Sequence, residues 1–185
     1  MILFMAILIK RKLQTCDLLR IRTKRKYKAS NFDYATFSGS FTERFAKSLI
    51  KRSPYICIDL DHIGNSDAIM AIKTLILDNL CPALMFISPR GDGMKIIFKV
   101  ITETAKHLIY FRALQNYFEI VIGHTADPSG SDVSRACFLP HDPDAYYNNE
   151  CDTLDYAFIN TFYPQIAQLD RLLEKPGTMV QEPKT

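Results

Sequence analysis

The sequence predicts a mixed α/β (α+β) fold, and three observations carry that reading. Short runs rich in β-branched and aromatic residues end at turn residues, as at 55–58, 83–88 and 94–100. Longer stretches with helical spacing of apolar residues lie between and after them, at 67–80 and 105–121. Two of the strand-like runs are joined only by Pro89-Arg90-Gly91-Asp92-Gly93, which makes them a hairpin.

With 185 residues, the chain is long enough for one sizeable core and too short for two full domains with linkers. A hydrophobic fraction of 48% with 23% charged residues is that of an ordinary soluble globular protein. The net charge of +3 hides an asymmetry. Residues 1–30 carry nine Lys and Arg against the single acid Asp17, whereas the remainder is mildly acidic. A basic arm on an acidic body signals nucleic acid or another anionic surface, with a solvated helix face as the plainer account. The apolar opening from Met1 to Ile9 is too short to span a bilayer and its charges follow it, so neither a membrane segment nor an ordinary signal peptide is expected. Five cysteines with no C-x-x-C pattern point to reduced thiols in the cytoplasm.

In chain order, Leu13 to Lys28 reads as a short amphipathic helix grading into a basic run, and Asn31 to Ser40 as a turn-rich segment. Thr42 to Lys51 reads as a helix with Phe45, Leu49 and Ile50 turned inward, stopped by Ser53-Pro54. Next comes the strand that ends in Ile58-Asp59-Leu60-Asp61, then a Gly-Asn-Ser turn. Ser66 is the expected N-cap of a helix from Asp67 to about Leu80, with Ile69, Ile72, Leu75, Ile76 and Leu80 as its apolar face. The hairpin follows; alternation places Lys95, Ile97 and Lys99 on one face and Met94, Ile96 and Phe98 on the other. The helix from Ala105 to Val121 is expected to bury Leu108, Phe111, Leu114, Phe118 and Val121, with Gly123 closing it. Residues 124–149 are dense in Asp, Ser, Pro and Gly around one strand-like core at 136–139, which suggests a site loop. A last helix spans about Leu154 to Leu173, kinked or split at Pro164, and the tail beyond Lys175 is expected to be loose. The organisation is thus a basic extension (1–30), a core (31–150) and a C-terminal helix with tail (151–185).

The chemistry concentrates at Asp59 and Asp61. Side chains two apart on a strand share a face, and two like charges side by side are costly unless a cation or basic group lies between them. Hard divalent cations such as Mg²⁺ or Mn²⁺ take such oxygen ligands; a solvated turn is the alternative. His62 alternates away from the acids. A zinc site from His124, Cys137, His141 and Cys151 lacks a close Cys or His pair, so zinc is not expected. The chain contains no P-loop and no recognisable setting for a Ser or Cys nucleophile.

Three features stand in order: Asp59-Leu60-Asp61 at a strand end, Ser88-Pro89-Arg90-Gly91-Asp92-Gly93-Met94-Lys95 across a hairpin, and the run from Ala126 through Asp127 and Arg135 to Pro140. This pattern resembles the archaeo-eukaryotic primase (primase-polymerase) superfamily. More narrowly, residues 37–150 are similar to the VirE N-terminal domain family of bacterial mobile elements, through SGSF-x-x-R, IDLDH, SP-x-GDG-x-K and DPSGSDVSRACFLPHDPDAYYN. The resemblance implies a primase-like core with an RRM-like antiparallel sheet and flanking helices.

It further implies nucleotidyl transfer on a single-stranded nucleic-acid template, with two divalent ions (Mg or Mn) held by Asp59, Asp61 and a third acid. Asp127 matches that third acid best, with Asp132 as the alternative. Arg90, Lys95 and Arg135 become candidates for contacts to nucleotide phosphates. Lys95 stands where primases carry a histidine; a lysine serves a phosphate as a point charge but cannot act as a neutral imidazole. Lys95 could equally be a solubilising strand residue, and Arg135 a structural partner for Asp127 or Asp132. The implied partners are nucleoside triphosphates, single-stranded nucleic acid and a P-loop helicase-type ATPase. In this family that ATPase often follows the domain; a chain ending at Thr185 is expected either to meet it in trans or to be a truncated remnant. A nucleic-acid-binding module without catalysis, and a metal-dependent nuclease, are the competing readings.

Overall fold

The computed structural model describes residues 32–103 and 105–165. The expected helix at 13–28, the portion of the last helix beyond residue 165, and the tail lie outside these. The described chain is a mixed α/β structure built on antiparallel sheets.

Two short strands come first, β1 (Tyr34–Ala35) and β2 (Gly39–Phe41). The helix expected over Thr42 to Lys51 is not formed. A 3-10 turn (Ala46–Ser48) leads instead into β3 (Leu49–Arg52), which pairs antiparallel with β2. No side chain caps the start of that turn, while Leu49-Ile50 suits an extended backbone that β2 can satisfy. Phe45, Leu49 and Ile50 consequently lie exposed, not inward.

The strand β4 (Tyr55–Leu60) forms as expected and alternates strictly, with Ile56, Ile58 and Leu60 buried. Helix α1 (Ser66–Asn79) follows, capped by Asn65, whose Oδ1 accepts from the Ala68 amide at 3.0 Å; the cap lies one residue earlier than the sequence suggested. Ile69 and Ile76 are buried, whereas Leu75 is exposed. Strands β5 (Leu84–Ile87) and β6 (Met94–Val100) make the predicted hairpin. Helix α2 (His107–Tyr117) then widens into one π-type turn over Phe118–Ile122 and ends at Gly123, whose φ of 72° is left-handed. Its buried stripe runs through Tyr110, Phe111, Leu114, Tyr117 and Phe118, so the apolar face is turned away from Leu108, which is exposed.

Three two-residue strands complete the set: β7 (Cys137–Phe138), β8 (Tyr146–Tyr147) and β9 (Thr153–Leu154). Helix α3 (Tyr156–Phe162) is capped by Asp155 and stops before Pro164, as the steric demand of a following proline requires. The main sheet has the order β4-β6-β5-β8, with β9 joining β6 in parallel at Lys99 and Val100, past the last β5 pair. One face of this sheet packs on α1, α2 and α3 through the large core. The other is covered by a smaller cluster of Phe37, Leu84, Phe86, Ile97, Cys137 and Leu139. That second cover buries Ile97, and Lys95 on the same face with it.

Candidate metal centre

Asp59, Asp61 and Asp127 each offer a carboxylate oxygen within 4.8 Å of the others. Three separate pieces of backbone bring them together. Asp59 is the penultimate residue of β4 and Asp61 the first residue beyond it. Asp127 arrives from the loop after α2, and its amide donates to the Asp59 carbonyl at 2.8 Å. Because β4 is an outer strand of its sheet, that carbonyl is free to receive it. An open depression lined by Asp61, His62, His124, Asp127 and Pro128 opens two of the three acids to solvent.

Lys95 lies directly opposite Asp59 in the β4–β6 register, and its Nζ donates to Asp59 Oδ2. Burial opposes a charged ammonium, but the surrounding Cys137, Asp59 and Cys57 outweigh it and hold the Lys95 pKa above its ordinary value. The other oxygen of Asp59, Oδ1, is buried with no hydrogen-bond partner among the described residues. A buried carboxylate oxygen left this way is costly unless a cation meets it, so the donor set fits a hard divalent ion. Behind the pair, Cys57 Sγ and Cys137 Sγ stand 3.8 Å apart as free thiols. The hydrogen bond between them holds the Cys57 proton in place, raising that thiol's pKa.

The Asp127 loop is heavily braced. Its carboxylate caps the 3-10 turn Pro128–Ser131, accepting from the Ser129 amide at 3.0 Å and the Ser129 hydroxyl at 2.6 Å. Arg135 Nη2 adds a contact at 3.2 Å to Asp127 Oδ2. Partial burial works against ionisation, yet these partners together lower the Asp127 pKa. Below the turn, His107 Nε2 meets the Gly130 carbonyl at 2.9 Å, tying the loop to the start of α2. A side chain at Gly130 would put its Cβ 2.6 Å from the Phe111 ring, so this close approach of loop to helix needs glycine.

The Asp61 loop is braced from the hairpin. The Asp92 carbonyl accepts from the amides of Ile63 and Gly64 at 2.7 and 3.2 Å, and His62, at a left-handed φ of 59°, points its Nδ1 to Asp92 Oδ2 at 3.3 Å. A Cβ on Gly93 would stand 2.3 Å from the Leu60 carbonyl. The glycine-rich turn is therefore a wedge against the strand end that carries the acids.

The remaining candidates are distributed as follows. Asp132, the alternative third acid, spends its carboxylate on the Ser134 amide and hydroxyl at 2.9 and 2.8 Å and lies outside the cluster. Arg90 is exposed in the hairpin turn. His124, Cys137, His141 and Cys151 form no ligand group among the described residues. Two contributors went unread in the sequence: His107 and Ser129, which position Asp127. Ser129 carried a signal, since an Asp-Pro-Ser turn lets the acid accept from the residue two on; His107 carried none, being an isolated helical histidine.

A family model described as BT4734-like, N-terminal domain, matches residues 26–147, more than half of the chain. The chain belongs to this BT4734-like N-terminal domain family. The family is related to VirE N-terminal domains, which agrees with the motif resemblance. The matched segment holds Asp59, Asp61 and Asp127 together with Lys95, Arg135 and the bracing residues His107 and Ser129. No curated protein and no solved structure matches the chain. Among the described residues, no helix is long and apolar enough to cross a membrane.

Proposed function

We propose that this domain is a primase-polymerase-like nucleotidyltransferase of a mobile genetic element, acting in the cytoplasm on a single-stranded nucleic-acid template with nucleoside triphosphates. The convergence of Asp59, Asp61 and Asp127 carries the reading. Held by these three acids, two divalent ions (Mg²⁺ or Mn²⁺) would supply the positive charge that favours an attacking 3′-hydroxyl and offsets charge on the phosphates. The chain's own residues set that arrangement up. Lys95 balances the charge of Asp59 and fixes its orientation; Ser129 and Arg135 do the same for Asp127. In this reading the half-exposed guanidinium of Arg135, beside Asp127, and the exposed Arg90 are the groups that would meet an incoming triphosphate. A helicase-type ATPase as a working partner belongs to the same proposal.

Primer synthesis and extension on single-stranded templates with Mn²⁺ or Mg²⁺ tests it. Wild type should form product and the Asp59→Ala, Asp61→Ala double variant should not; identical backgrounds from both would sink the enzyme. A specific observation favours a second reading, a binding module without catalysis. Lys95 replaces the motif histidine and already engages Asp59. In that case metal binds weakly, no product forms, and single-strand binding persists in EDTA.

A further inference from the structure

The two-stranded hairpin of β2 and β3 is a separate sheet, and it displays large apolar side chains to solvent. Phe45 is 56% and Ile50 66% exposed, and Tyr34 of the neighbouring β1 is 51% exposed. Ile50 is the extra residue of a bulge, because the register passes from Ser40↔Lys51 to Phe41↔Leu49. Cations are interleaved with these side chains. Arg44 lies over the Tyr34 ring at 5.9 Å, and Lys47 and Lys51 are exposed on the same hairpin, with Glu43 as the only acid from residue 42 to 52. The patch connects to the metal centre through the fold. Tyr34 pairs with Phe138 on β7, three residues beyond the Arg135 that contacts Asp127.

We infer that this hairpin is the docking surface for single-stranded nucleic acid. Exposed aromatics with a positive rim match a flexible polyanion whose bases stack, since every base offers a π-face and every linkage a charge. The basic stretch 10–28 is a poor occupant, because its own cations would face those of the hairpin. The inference supplies the template surface for the transferase proposed above and rests on that reading for its biological sense, but binding is measured without metal or nucleotide.

The chain contains no tryptophan, so Phe45→Trp in the full-length protein gives a single reporter at the patch. Added oligo(dT) should quench the emission of that introduced indole in parallel with a rise in the anisotropy of a labelled strand. Phe45→Ala should weaken binding roughly tenfold. A triple Arg44→Gln, Lys47→Gln, Lys51→Gln variant, checked for folding by circular dichroism, should lower the magnitude of the log K against log salt slope by about 2, at ~0.7 per phosphate contact. Strand binding with unchanged tryptophan emission and an undiminished slope in the triple variant overturns the inference and puts binding elsewhere, as on residues 1–30. So does a wild type that binds no strand and instead forms a dimer dissolved by Ile50→Ser. Hairpin binding without any nucleotide transfer or Mn²⁺ affinity upholds the inference and overturns the transferase alone.

Discussion

Lys95 and Asp59 face each other across β6 and β4 and form an ion pair inside the protein, with Lys95 only 7% exposed. Removing one partner of such a pair leaves an uncompensated charge. Lys95→Met should therefore cost roughly 3–5 kcal/mol in urea unfolding without divalent ions. Mn²⁺ should restore part of that loss, since a cation at Asp59 then takes over the neutralising role. If millimolar Mn²⁺ shifts the midpoint no more in this variant than in wild type, a metal at Asp59 is untenable. Lys95→Arg, which keeps the charge, serves as the control should Lys95→Met fail to fold.

Removal of metal should be visible in wild type as well. Three carboxylates within 4.8 Å repel one another, and ligand binding to the folded state alone raises stability by mass action. At a metal concentration of 100 times Kd the gain is about 2.7 kcal/mol, measured as a higher melting temperature reversed by EDTA. Asp61→Asn and Asp127→Asn should each reduce the shift, while Asp132→Asn, outside the cluster, should not.

His107 provides a pH dependence whose sign is fixed. Burial, the largest effect, favours the neutral imidazole and lowers its pKa, only partly opposed by the Gly130 carbonyl. A histidine with a depressed folded pKa contributes stability that is complete above its unfolded value of about 6.5 and lost as pH falls through the lower folded value. Unfolding midpoints should thus decline between about pH 7.5 and 5, and His107→Gln should flatten that decline. The same variant should weaken Mn²⁺ binding by loosening the Asp127 turn, an effect that a merely structural histidine would not have.

Gly93 is where the hairpin turn meets the acid-bearing strand end. Gly93→Ala forces a Cβ toward the Leu60 carbonyl and should destabilise by about 1–3 kcal/mol or more. Gly123→Ala is strained for a different reason, its positive φ, and has open space around it, so it should affect stability without altering metal affinity.

Several features were legible in the sequence alone, because they depend on local rules. The strand-like run at 55–58, the glycine turn between β5 and β6, the helix from about residue 67 and the stop at Gly123 all follow from residue type, periodicity and turn chemistry. So was the placing of Asp59 and Asp61 two apart at a strand end, whereas the approach of Asp127 to them, with Asp132 outside, is a tertiary contact. Tertiary structure decided what depends on the neighbours of each element. Segment 42–51 carries a helix-like spacing, but strand pairing with Gly39–Phe41 satisfies its backbone and turns Phe45 and Ile50 outward. Leu108 fits an apolar stripe on paper, yet the larger Tyr110, Phe111 and Tyr117 set which face of α2 meets the sheet. Alternation assigned Lys95 a face of β6 and could not say whether that face was wet. Only the second hydrophobic layer, with Phe37, Cys137 and Leu139 folded over it, makes Lys95 a buried partner of Asp59 and raises the energetic stake of that single ion pair.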